Sequence, residues 1–464
     1  MAHHSFATVP IRHTGEEQGN QLRARLQRIE PACLRTQTPS LAIIAHSAGS
    51  YHWTTDGRKL ADFTSGVLVA NLGHNPASWW KKLLAYLNLD TTADADTEQF
   101  YSAAPLTTYN AGCTIEVEAG DRLLRSLRSQ PGGGRMEQVL WAASGSEAAQ
   151  KALWACMSRR PGRDMILATR GGFHGKKGLA GAVTGCEDDS ERDPRVRFIS
   201  FPKDECNSVE RRELPVDLRP YEDELQELAD QYGDRLCCLI TEPYLGGGGS
   251  YHPQPEYLQM LEQFCRDQDI ALVLDEIQSN FGRTGSMYAF TQYGIEPDIV
   301  LLGKGLGNGI PVDAAVGRSD LFVGLGFGEG SDTWSGHPLG CAAVLATLDE
   351  FESGQVVERS VPLSNAVRDG LLKLCELPAV AVVRGEGTVW GVECAPIGDT
   401  PATEIAMQAV EACYRGNTAG DAVHLLGPLA GCVIRIAPPL TMPVEEAKHA
   451  LQVMYDIMSG LPAV

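Results

Sequence analysis

The chain has 464 residues, 43% of them hydrophobic and 21% charged, which is the composition of a globular protein with more than one packed unit. Its 39 lysines and arginines against 59 aspartates and glutamates give a formal charge of −20, so nucleic acids and anionic membrane surfaces are disfavoured as partners. The sequence shows neither a signal peptide nor an apolar run long enough to cross a bilayer. We therefore expect a cytoplasmic protein.

Disulfide and metal chemistry are also disfavoured. The 13 cysteines are scattered without a C-x-x-C pair, and Cys237 and Cys238 lie in an apolar run that is typical of a buried strand. His3 and His4 have no further ligand at metal-binding spacing. We expect reduced thiols in the core and no metal site.

In chain order, the first predicted elements are two short β-rich runs at residues 43–46 and 51–54, joined as a hairpin. They belong to an N-terminal segment, residues 1–63, which is too small to bury a core by itself. We expect this segment to join a smaller domain formed by the C-terminal part of the chain.

Residues 64–345 are predicted to form a large domain in which strands and helices alternate. Short apolar runs occur at residues 165–169, 196–201, 236–241, 270–275, 299–303 and 314–317. Amphipathic stretches with helical spacing occur at residues 147–159, 221–232 and 256–268. This order predicts an α/β fold with a mostly parallel sheet covered by helices.

Residues 346–464 are predicted to form a smaller α+β domain. A helical run from residue 338 to about 351 leads into it, and separate helical patterns follow at residues 363–375, 404–415 and 444–458. They bracket strand-like segments at residues 380–392 and 432–436. The sequence therefore predicts two domains, with the N-terminal segment attached to the second.

Charged residues follow two predicted strands of the large domain. Asp275 ends one apolar run and Lys304 follows another, at the strand ends where open parallel sheets bind their ligands. A charged residue is also common where a chain leaves the hydrophobic core, so neither position alone indicates a ligand site. Ser144-Gly145-Ser146 opens a predicted helix, where a phosphate can bind the positive helix end, although Ser144 alone would suit a plain N-cap. Together the three positions favour a site for a phosphate-bearing ligand.

The sequence around these residues resembles the signature of the class III (omega) pyridoxal-phosphate aminotransferases, which include the 4-aminobutyrate and ornithine aminotransferases. The resemblance rests on Asp275-Glu276-Ile277-Gln278, on Phe281-Gly282-Arg283-Thr284-Gly285 and on Gly303-Lys304-Gly305. It continues in the same order from about Asp62 to Leu440, which is most of the chain. It implies the fold of the type I pyridoxal-phosphate transferases.

The resemblance implies that pyridoxal 5'-phosphate is the cofactor and that Lys304 holds its aldehyde as a Schiff base. A lysine has an ordinary pKa of about 10.4, so it must lose its proton before it can capture an aldehyde. The matching family lysine also moves the substrate proton. The aspartate that matches Asp275 keeps the pyridine nitrogen protonated, so that the ring can accept electrons.

The resemblance implies further contacts to the cofactor. Phe173 and His174 lie where the family stacks an aromatic residue on the ring, Gln278 matches a side chain near the ring hydroxyl, and Glu242 matches an active-site glutamate. Thr333 matches a threonine that reaches the phosphate from the neighbouring subunit, which implies a homodimer with shared active sites. The cofactor-binding residues implied are Ser144, Gly145, Ser146, Phe173, His174, Glu242, Asp275, Gln278, Lys304 and Thr333.

Arg435 is the candidate ligand for the substrate. It lies in the apolar run Val433-Ile434-Arg435-Ile436, where a guanidinium is costly unless an anion pairs with it. The family arginine at this position binds the α-carboxylate, a partner suited to a bidentate contact. A structural salt bridge to a core carboxylate is the alternative.

Three departures from the family pattern bear on substrate choice. Gly247 stands where the 4-aminobutyrate and ornithine enzymes carry a glutamate that masks the arginine, which weakens the expectation of an ω-amine donor. Lys176 stands where members that use 2-oxoglutarate often have an arginine that binds the distal carboxylate. A lysine keeps the positive charge but cannot form the two parallel hydrogen bonds of a guanidinium. Asn280 replaces a glycine, and we expect the turn to survive because asparagine tolerates left-handed backbone angles.

We therefore expect an aminotransferase that moves an amino group from an amino acid or ω-amine donor to a 2-oxo acid by a ping-pong mechanism. An amino-acid racemase or epimerase, an aminomutase and a decarboxylase remain alternatives, because they share the cofactor and the fold. A catalytically silent binding protein is the alternative from another class. The joint presence of Lys304, Asp275, Gln278, Thr333 and Arg435 disfavours it.

Overall fold

The structure is a computed structural model that describes residues 11–34, 36, 38–90, 100–189, 193–428 and 430–462. His3 and His4 lie outside the described residues. The described chain divides into two compact units. The larger unit runs from Ala77 to Glu358, and the smaller unit combines the described residues up to Pro76 with those from Arg359 onward.

The elements are numbered in chain order. The strands are β1 (Ile44–Ala48), β2 (Tyr51–Thr54), β3 (Lys59–Asp62), β4 (Gln138–Ala142), β5 (Met165–Thr169), β6 (Val196–Ile199), β7 (Leu236–Thr241), β8 (Ala271–Asp275), β9 (Ile299–Leu302), β10 (Asp313–Gly317), β11 (Val380–Glu386), β12 (Val389–Cys394), β13 (Val423–His424) and β14 (Val433–Ile436). The helices are α1 (Glu17–Ile29), α2 (Ser65–Leu68), α3 (Ala77–Tyr86), α4 (Thr114–Arg128), α5 (Gly145–Ser158), α6 (Gly178–Ala182), α7 (Val209–Arg212), α8 (Arg219–Tyr232), α9 (Pro255–Asp267), α10 (Ala289–Tyr293), α11 (Ser319–Phe322), α12 (Pro338–Gly354), α13 (Val356–Leu374), α14 (Ala402–Arg415) and α15 (Val444–Met458).

The larger unit is built on a seven-stranded sheet in the order β4-β10-β9-β8-β7-β5-β6. Only β10 runs antiparallel to its neighbours, which are β4 and β9, and the other pairings are parallel. Every residue of β5, β7, β8 and β9 is buried, which explains why these strands read as continuous apolar runs. The prediction of a mostly parallel sheet covered by helices is confirmed.

The long helix α5 lies against this sheet. Its buried face, which includes Ala148, Ala152 and Leu153, joins a core with Ile166, Cys238 and other strand residues. The burial of α5 fixes its first turn beside the carboxyl ends of the parallel strands. No helix among the residues that the structure describes is both long and apolar enough to span a membrane.

The smaller unit contains two sheets, one in the order β1-β2-β3-β13 and one in the order β11-β12-β14. The predicted N-terminal hairpin is present as β1 and β2, with Ala48 opposite Tyr51. Strand β3 pairs in parallel with β13 from the C-terminal part of the chain. Leu60, Tyr414 and Ala422 form a shared core beneath this sheet. The N-terminal strands thus obtain their core from the C-terminal region.

One helix differs from its predicted bounds. The prediction began it at Leu363, after a proline, whereas α13 begins at Val356 and runs through Pro362. Val356 and Leu363 are both buried, seven residues apart on one helical stripe. The burial of this earlier apolar residue offsets the hydrogen bond that the proline removes.

Candidate active site

Lys304 and Asp275 lie at neighbouring strand ends of the seven-stranded sheet. Asp275 is the last residue of β8, and its partner across the sheet is Leu301 of the adjacent β9. Lys304 follows β9 after Gly303 and begins a short 3₁₀ turn. The two predicted residues are therefore brought to the same edge of the sheet, as the strand pattern implied.

The backbone at Lys304 is held in an unusual conformation. Its φ angle is +47°, in the left-handed region that residues with a side chain rarely adopt. The buried side chain of Asn280 donates from Nδ2 to the carbonyl of Gly303 at 3.1 Å and to that of Glu276 at 2.6 Å. Asn280 therefore ties the turn after β8 to the backbone that carries Lys304. Such strain is concentrated at functional sites.

The expected left-handed residue in this turn is not Asn280. The structure places the left-handed conformation at the next residue, Phe281, with a φ of +50°. Asn280 supports the turn through the two hydrogen bonds of its amide instead. The turn survives the loss of glycine, as expected, but by a different physical means.

His174 is the hydrogen-bond partner of Asp275. The two side chains are buried, and His174 Nδ1 lies 2.8 Å from Asp275 Oδ2. The other oxygen of Asp275 accepts the N–H of Ile277 at 3.1 Å. The second ring nitrogen of His174, Nε2, is buried and has no hydrogen-bond partner among the described residues. Asp275 is thus fixed in orientation by two neighbours.

Glu242, which follows β7, links two further segments of the site. Its carboxylate accepts the N–H of Phe173 at 3.0 Å and that of Gly246 at 3.3 Å. Burial raises the pKa of Glu242 to about 7, although the positive charge of a protonated His174 would lower it. Glu242 therefore fixes the loop that presents Phe173 and changes its charge near neutral pH.

Phe173 and Gln278 frame the space above these carboxylates. Phe173 is 39% exposed, which is unusual for an aromatic side chain between buried neighbours. Gln278 packs against Gly246, because a Cβ atom added to Gly246 would overlap the amide oxygen of Gln278. A Cβ at Gly247 would lie only 3.1 Å from Cβ of Phe173. Gly247 therefore packs closely against the side chain of Phe173.

The opening of α5 supplies an anion site next to this group. Ser144 caps the helix by accepting the N–H of Glu147 at 3.3 Å, so the N-cap interpretation is correct for its side chain. The first amides of a helix have no partner within the helix, and those of Gly145 and Ser146 remain to bind an anion. A Cβ at Gly145 would lie 2.7 Å from Cδ1 of Ile277, which follows Asp275. The anion site and the Asp275 site are therefore contiguous.

These features fit an aromatic cofactor that carries a phosphate. The α5 opening can hold the phosphate, and the exposed ring of Phe173 can stack on a planar group. Asp275 can supply a buried carboxylate for a protonated ring nitrogen, and Lys304 can supply the amine. The unpartnered Nε2 of His174 lies in the same buried region.

Thr333, Lys176 and Arg435 are the remaining predicted site residues. Thr333 is exposed on the loop before α12, and its carbonyl accepts a hydrogen bond from Thr107 at 3.3 Å. Lys176 is exposed and makes no hydrogen bond or ion pair with the part of the chain that the structure describes. Arg435 is a buried residue of β14, in the smaller unit. Its cross-strand neighbour there is Gly391, which leaves space for a long side chain.

The structure also places beside Lys304 a buried carboxyl group that the motifs did not indicate. Asp313, the first residue of β10, is buried beside Gly303, so its carboxylate lies next to the backbone that carries Lys304. Burial raises the pKa of Asp313 to about 7, while the charge of Lys304 opposes this and Asp275 adds to it. A polar residue opening an otherwise apolar strand was the only available signal.

A second cluster of titratable groups lies in the smaller unit. His52, Asp62 and His74 place one possible metal-ligand atom each within 4.8 Å of one another. Asp62 Oδ2 lies 2.7 Å from His74 Nε2, and its Oδ1 accepts the N–H and hydroxyl of Thr64 at 2.8 and 2.6 Å. Burial alone would raise the pKa of Asp62, but hydrogen bonds from the two histidines lower it well below its usual range. Because both oxygens have partners, we interpret the cluster as a structural network.

Comparison with known proteins agrees with this site. The family model described as aminotransferase class-III matches residues 33–458. The chain is 28% identical to an acetylornithine aminotransferase of Methanothermobacter thermautotrophicus, over 92% of this chain and 96% of that protein. It is 30% identical to a 2-aminoadipate transaminase of Pseudomonas putida, over 90% and 96% of the two chains.

A solved structure gives the same result. An amine transaminase from an uncultivated Pseudomonas species, determined in its pyridoxal-phosphate-bound form, is 25% identical and has a TM-score of 0.74, with coverage of 92% of this chain and 96% of that one. The mixed sheets and helices of the present chain are those of a fold type I transferase. The matches cover nearly the whole length of this chain and of each compared protein. The chain therefore belongs to the class III aminotransferases and is a pyridoxal-phosphate-dependent transaminase.

Proposed function

We propose that this transaminase works in two half-reactions, in which an amino acid leaves its amino group on the enzyme and a 2-oxo acid then collects it. The observation that carries the proposal is the meeting of Lys304 and Asp275 at one sheet edge, beside the open amides of α5. Pyridoxal phosphate, when bound, supplies an electron sink for the pair of electrons left when a proton leaves the substrate Cα.

Lys304 is the proposed base and covalent anchor. Lys304 would hold the cofactor aldehyde, and its amine would take the proton from the substrate Cα and return it to the carbon that ends up bearing the transferred amino group. Two features support this role, the left-handed backbone at Lys304 and the hydrogen bond from Asn280 to the carbonyl of Gly303. Both fix the backbone from which the long, flexible lysine side chain starts. The proton transfer then needs no rearrangement of the main chain.

Asp275 is proposed to hold the positive charge of the cofactor ring nitrogen. Its fixed contacts with His174 and the N–H of Ile277 support an ionised carboxylate aimed in one direction. Phe173 is proposed to stack on the ring, Gln278 to lie near its hydroxyl, and Glu242 to hold the Phe173 loop. Ser144, Gly145 and Ser146 are proposed to bind the phosphate.

The proposed donor is an α-amino acid whose carboxylate is bound by Arg435. A buried arginine in an apolar strand favours a bidentate anion partner. By the resemblance to the class III family, the glutamate that masks the arginine in the 4-aminobutyrate and ornithine enzymes is replaced by Gly247 in this chain. An α-carboxylate donor is therefore favoured over an ω-amine. Lys176, with its exposed ammonium, is proposed to contact the distal carboxylate of a dicarboxylic acceptor.

We propose that the enzyme is a homodimer in which Thr333 reaches the phosphate of the neighbouring site. The segments around residues 100–117 and 322–335 line one cavity of about 380 Å³ and carry an unusual set of exposed apolar side chains. These are Phe100, Tyr101, Leu106, Tyr109, Val117, Val323, Phe327 and Trp334. A surface of this kind is typical of an interface between subunits.

A cytoplasmic location is proposed as well. All 13 cysteines are free thiols, and eight of them are buried. Proteins of oxidising compartments usually pair such residues, so the free thiols favour a reducing environment.

The proposed function can be tested by mixing the purified enzyme with single amino acids or diamines, without a keto acid, and recording the visible absorbance of the cofactor. We expect an α-amino acid to shift the absorbance and a 2-oxo acid to restore it. An Arg435→Ala variant should lose at least about tenfold in apparent donor affinity, since a charged hydrogen bond contributes about 1.5–3 kcal/mol. A shift caused only by diamines, unchanged in this variant, would contradict the proposed donor class.

A further inference from the structure

Asp313 occupies a position that no family motif assigns. It opens β10, the antiparallel strand between β4 and β9, and its partner across the sheet is Ala142. Strand β4 leads into the opening of α5, and strand β9 leads into Lys304. The antiparallel direction of β10 brings its first residue to the edge where the parallel strands end. Asp313 therefore lies between the two segments proposed to hold the cofactor.

The carboxylate of Asp313 packs directly on both segments. A Cβ atom at Gly303 would overlap Oδ1 of Asp313, and a Cβ at Gly145 would lie 3.6 Å from the same oxygen. Only 7% of the residue is exposed. None of the described residues donates a hydrogen bond to its carboxylate. A carboxyl group that is mostly removed from water is costly when it is charged, so burial favours its neutral form.

The charges that face Asp313 come from three elements. Lys304 after β9 favours the ionised form, whereas Asp275 of β8 and Glu147 in the first turn of α5 disfavour it. Burial is the largest influence, and the balance raises the pKa of Asp313 to about 7. A phosphate at the α5 opening adds further negative charge nearby. The acid form is then favoured even more strongly when the cofactor is bound.

We propose that Asp313 is a cofactor-binding residue that acts as a neutral acid at the edge of the phosphate site and repels the phosphate when it is ionised. The inference rests on the proposed function of the α5 opening. Binding then takes up one proton at Asp313, and its carboxylate oxygen gains an O–H bond. Cofactor affinity therefore falls as the pH rises above the pKa of Asp313, by up to about tenfold per pH unit.

The test is a titration of pyridoxal phosphate into two chains, one carrying Lys304→Ala and the other Lys304→Ala with Asp313→Asn. Removal of Lys304 leaves non-covalent binding only, so the ionisation of the lysine does not enter. Quenching of tryptophan fluorescence gives the dissociation constant at each pH from 6 to 9. The ionisation of the phosphate itself is the same in both titrations and cancels in the ratio of the two constants.

We expect the two chains to bind equally at pH 6 and the Asp313→Asn chain to bind progressively more tightly as the pH rises towards 9, by up to about tenfold per pH unit above the pKa of Asp313, because one proton is linked to binding. Since the charge of Lys304 lowers that pKa, removal of Lys304 moves the onset of the change above pH 7. Asp234→Asn, a change at an exposed aspartate of the same unit, should leave the ratio at one throughout. Asp313→Ser serves as a second neutral variant if the asparagine chain fails to fold.

Two results would overturn the inference and can be told apart. A ratio that stays constant between pH 6 and pH 9 removes the role of Asp313 but leaves the cofactor site intact. Failure of the chain with Lys304 present to acquire a cofactor absorbance at any pH removes the proposed site itself, and with it the role of Asp313.

Discussion

Lys304 combines a reactive amine with a backbone conformation that few lysines adopt. Its left-handed φ and the hydrogen bond from Asn280 to the preceding carbonyl hold the start of its side chain. Fixing the origin of a flexible chain reduces the entropy lost when the amine meets its target. The side-chain amine of Lys304 therefore has the chemical role, whereas the conformation of the turn depends on its backbone.

Replacing Lys304 with alanine should abolish transamination without unfolding the protein. The amine that takes and returns the Cα proton is removed, and general acid–base groups of this kind contribute about 10²–10⁴-fold to a rate. Turnover with an amino acid and a 2-oxo acid would be measured together with thermal unfolding. Lys448→Ala, at an exposed lysine of α15, should keep full activity. Retention of more than a tenth of the activity in the Lys304→Ala chain would contradict the assignment.

Lys304 and Asp275 could be identified from the sequence because the resemblance to the class III family marks both residues, and because strand ends in a parallel sheet share one edge. It could not locate Asp313, since the start of an antiparallel strand carries no motif and the packing on Gly303 is a three-dimensional relation. For the same reason, the left-handed residue was expected at Asn280 and lies at Phe281. Hydrogen bonds from a side chain to a distant backbone group, such as that from Asn280 to Gly303, produce no periodic pattern in the sequence.

Glu276 shows how one side chain can position a whole element. This fully buried carboxylate accepts the N–H groups of Ala289 and Phe290, both at 2.7 Å, at the start of α10. These are the amides that a helix leaves without an internal partner. Burial raises the pKa of Glu276 to about 7, although the two N–H groups oppose this shift. The contact is therefore strongest above neutral pH.

Glu276→Gln should remove the loss of stability that the parent undergoes as the pH rises from about 4.5 to 7, because the amide stays neutral whereas the buried carboxyl group ionises. Each pKa unit corresponds to about 1.4 kcal/mol, so the stability difference between the two chains should change by about 3 kcal/mol over this range. Urea unfolding monitored by circular dichroism at several pH values measures this change. Glu227→Gln, at an exposed position of α8, should stay within about 0.5 kcal/mol of the parent at each pH. The same pH dependence in the parent and in Glu276→Gln would show that Glu276 does not ionise in this range.

The elements themselves were the most predictable feature of the chain. Apolar runs placed β5 and β7 at their observed bounds, because strands buried on both faces have no polar interruptions. The beginning of α13 was misplaced because Pro362 indicated a boundary, whereas the burial of Val356 extends the helix past it. Local signals are thus overridden where tertiary burial is large.

For the molecule as a whole, the histidine network of the smaller unit makes stability depend on pH. Burial lowers the pKa of His424 to about 4, although the nearby carboxylate of Asp62 opposes this shift. The unfolded chain takes up a proton at His424 below its ordinary pKa of about 6.5, whereas the folded chain resists until about pH 4. The contribution of neutral His424 is therefore fully present above pH 6.5 and is lost as the pH falls towards 4.

His424→Leu should flatten this part of the stability curve. The pH-dependent part of the unfolding free energy that this change removes is at most about 3.5 kcal/mol between pH 6.5 and pH 4, at about 1.4 kcal/mol for each pKa unit. Unfolding free energies at several pH values give the curve for each chain. His46→Leu, at an exposed histidine of β1, is the matched control and should leave the curve unchanged. Parallel curves for all three proteins would exclude His424 as the source.

The subunit interface can be tested by charging its apolar surface. Replacing both Val323 and Phe327 with glutamate places like charges opposite each other across a symmetric interface and should give monomers in analytical ultracentrifugation. Because Thr333 is proposed to complete the neighbouring site, cofactor affinity should fall in the same variant. The same double change at exposed Leu214 and Val361 should keep the parent's mass. A parent enzyme that sediments as a monomer would refute the proposed dimer.

The packing of Asp313 on Gly303 also constrains how this chain can diverge. A side chain at position 303 would occupy the space of the Asp313 carboxylate, so neither position can change freely while the other is kept. Related enzymes should therefore show co-variation at these two positions, with a larger residue at 303 only where 313 is small. For laboratory evolution, libraries that randomise position 303 alone should return only glycine, whereas joint randomisation opens both positions.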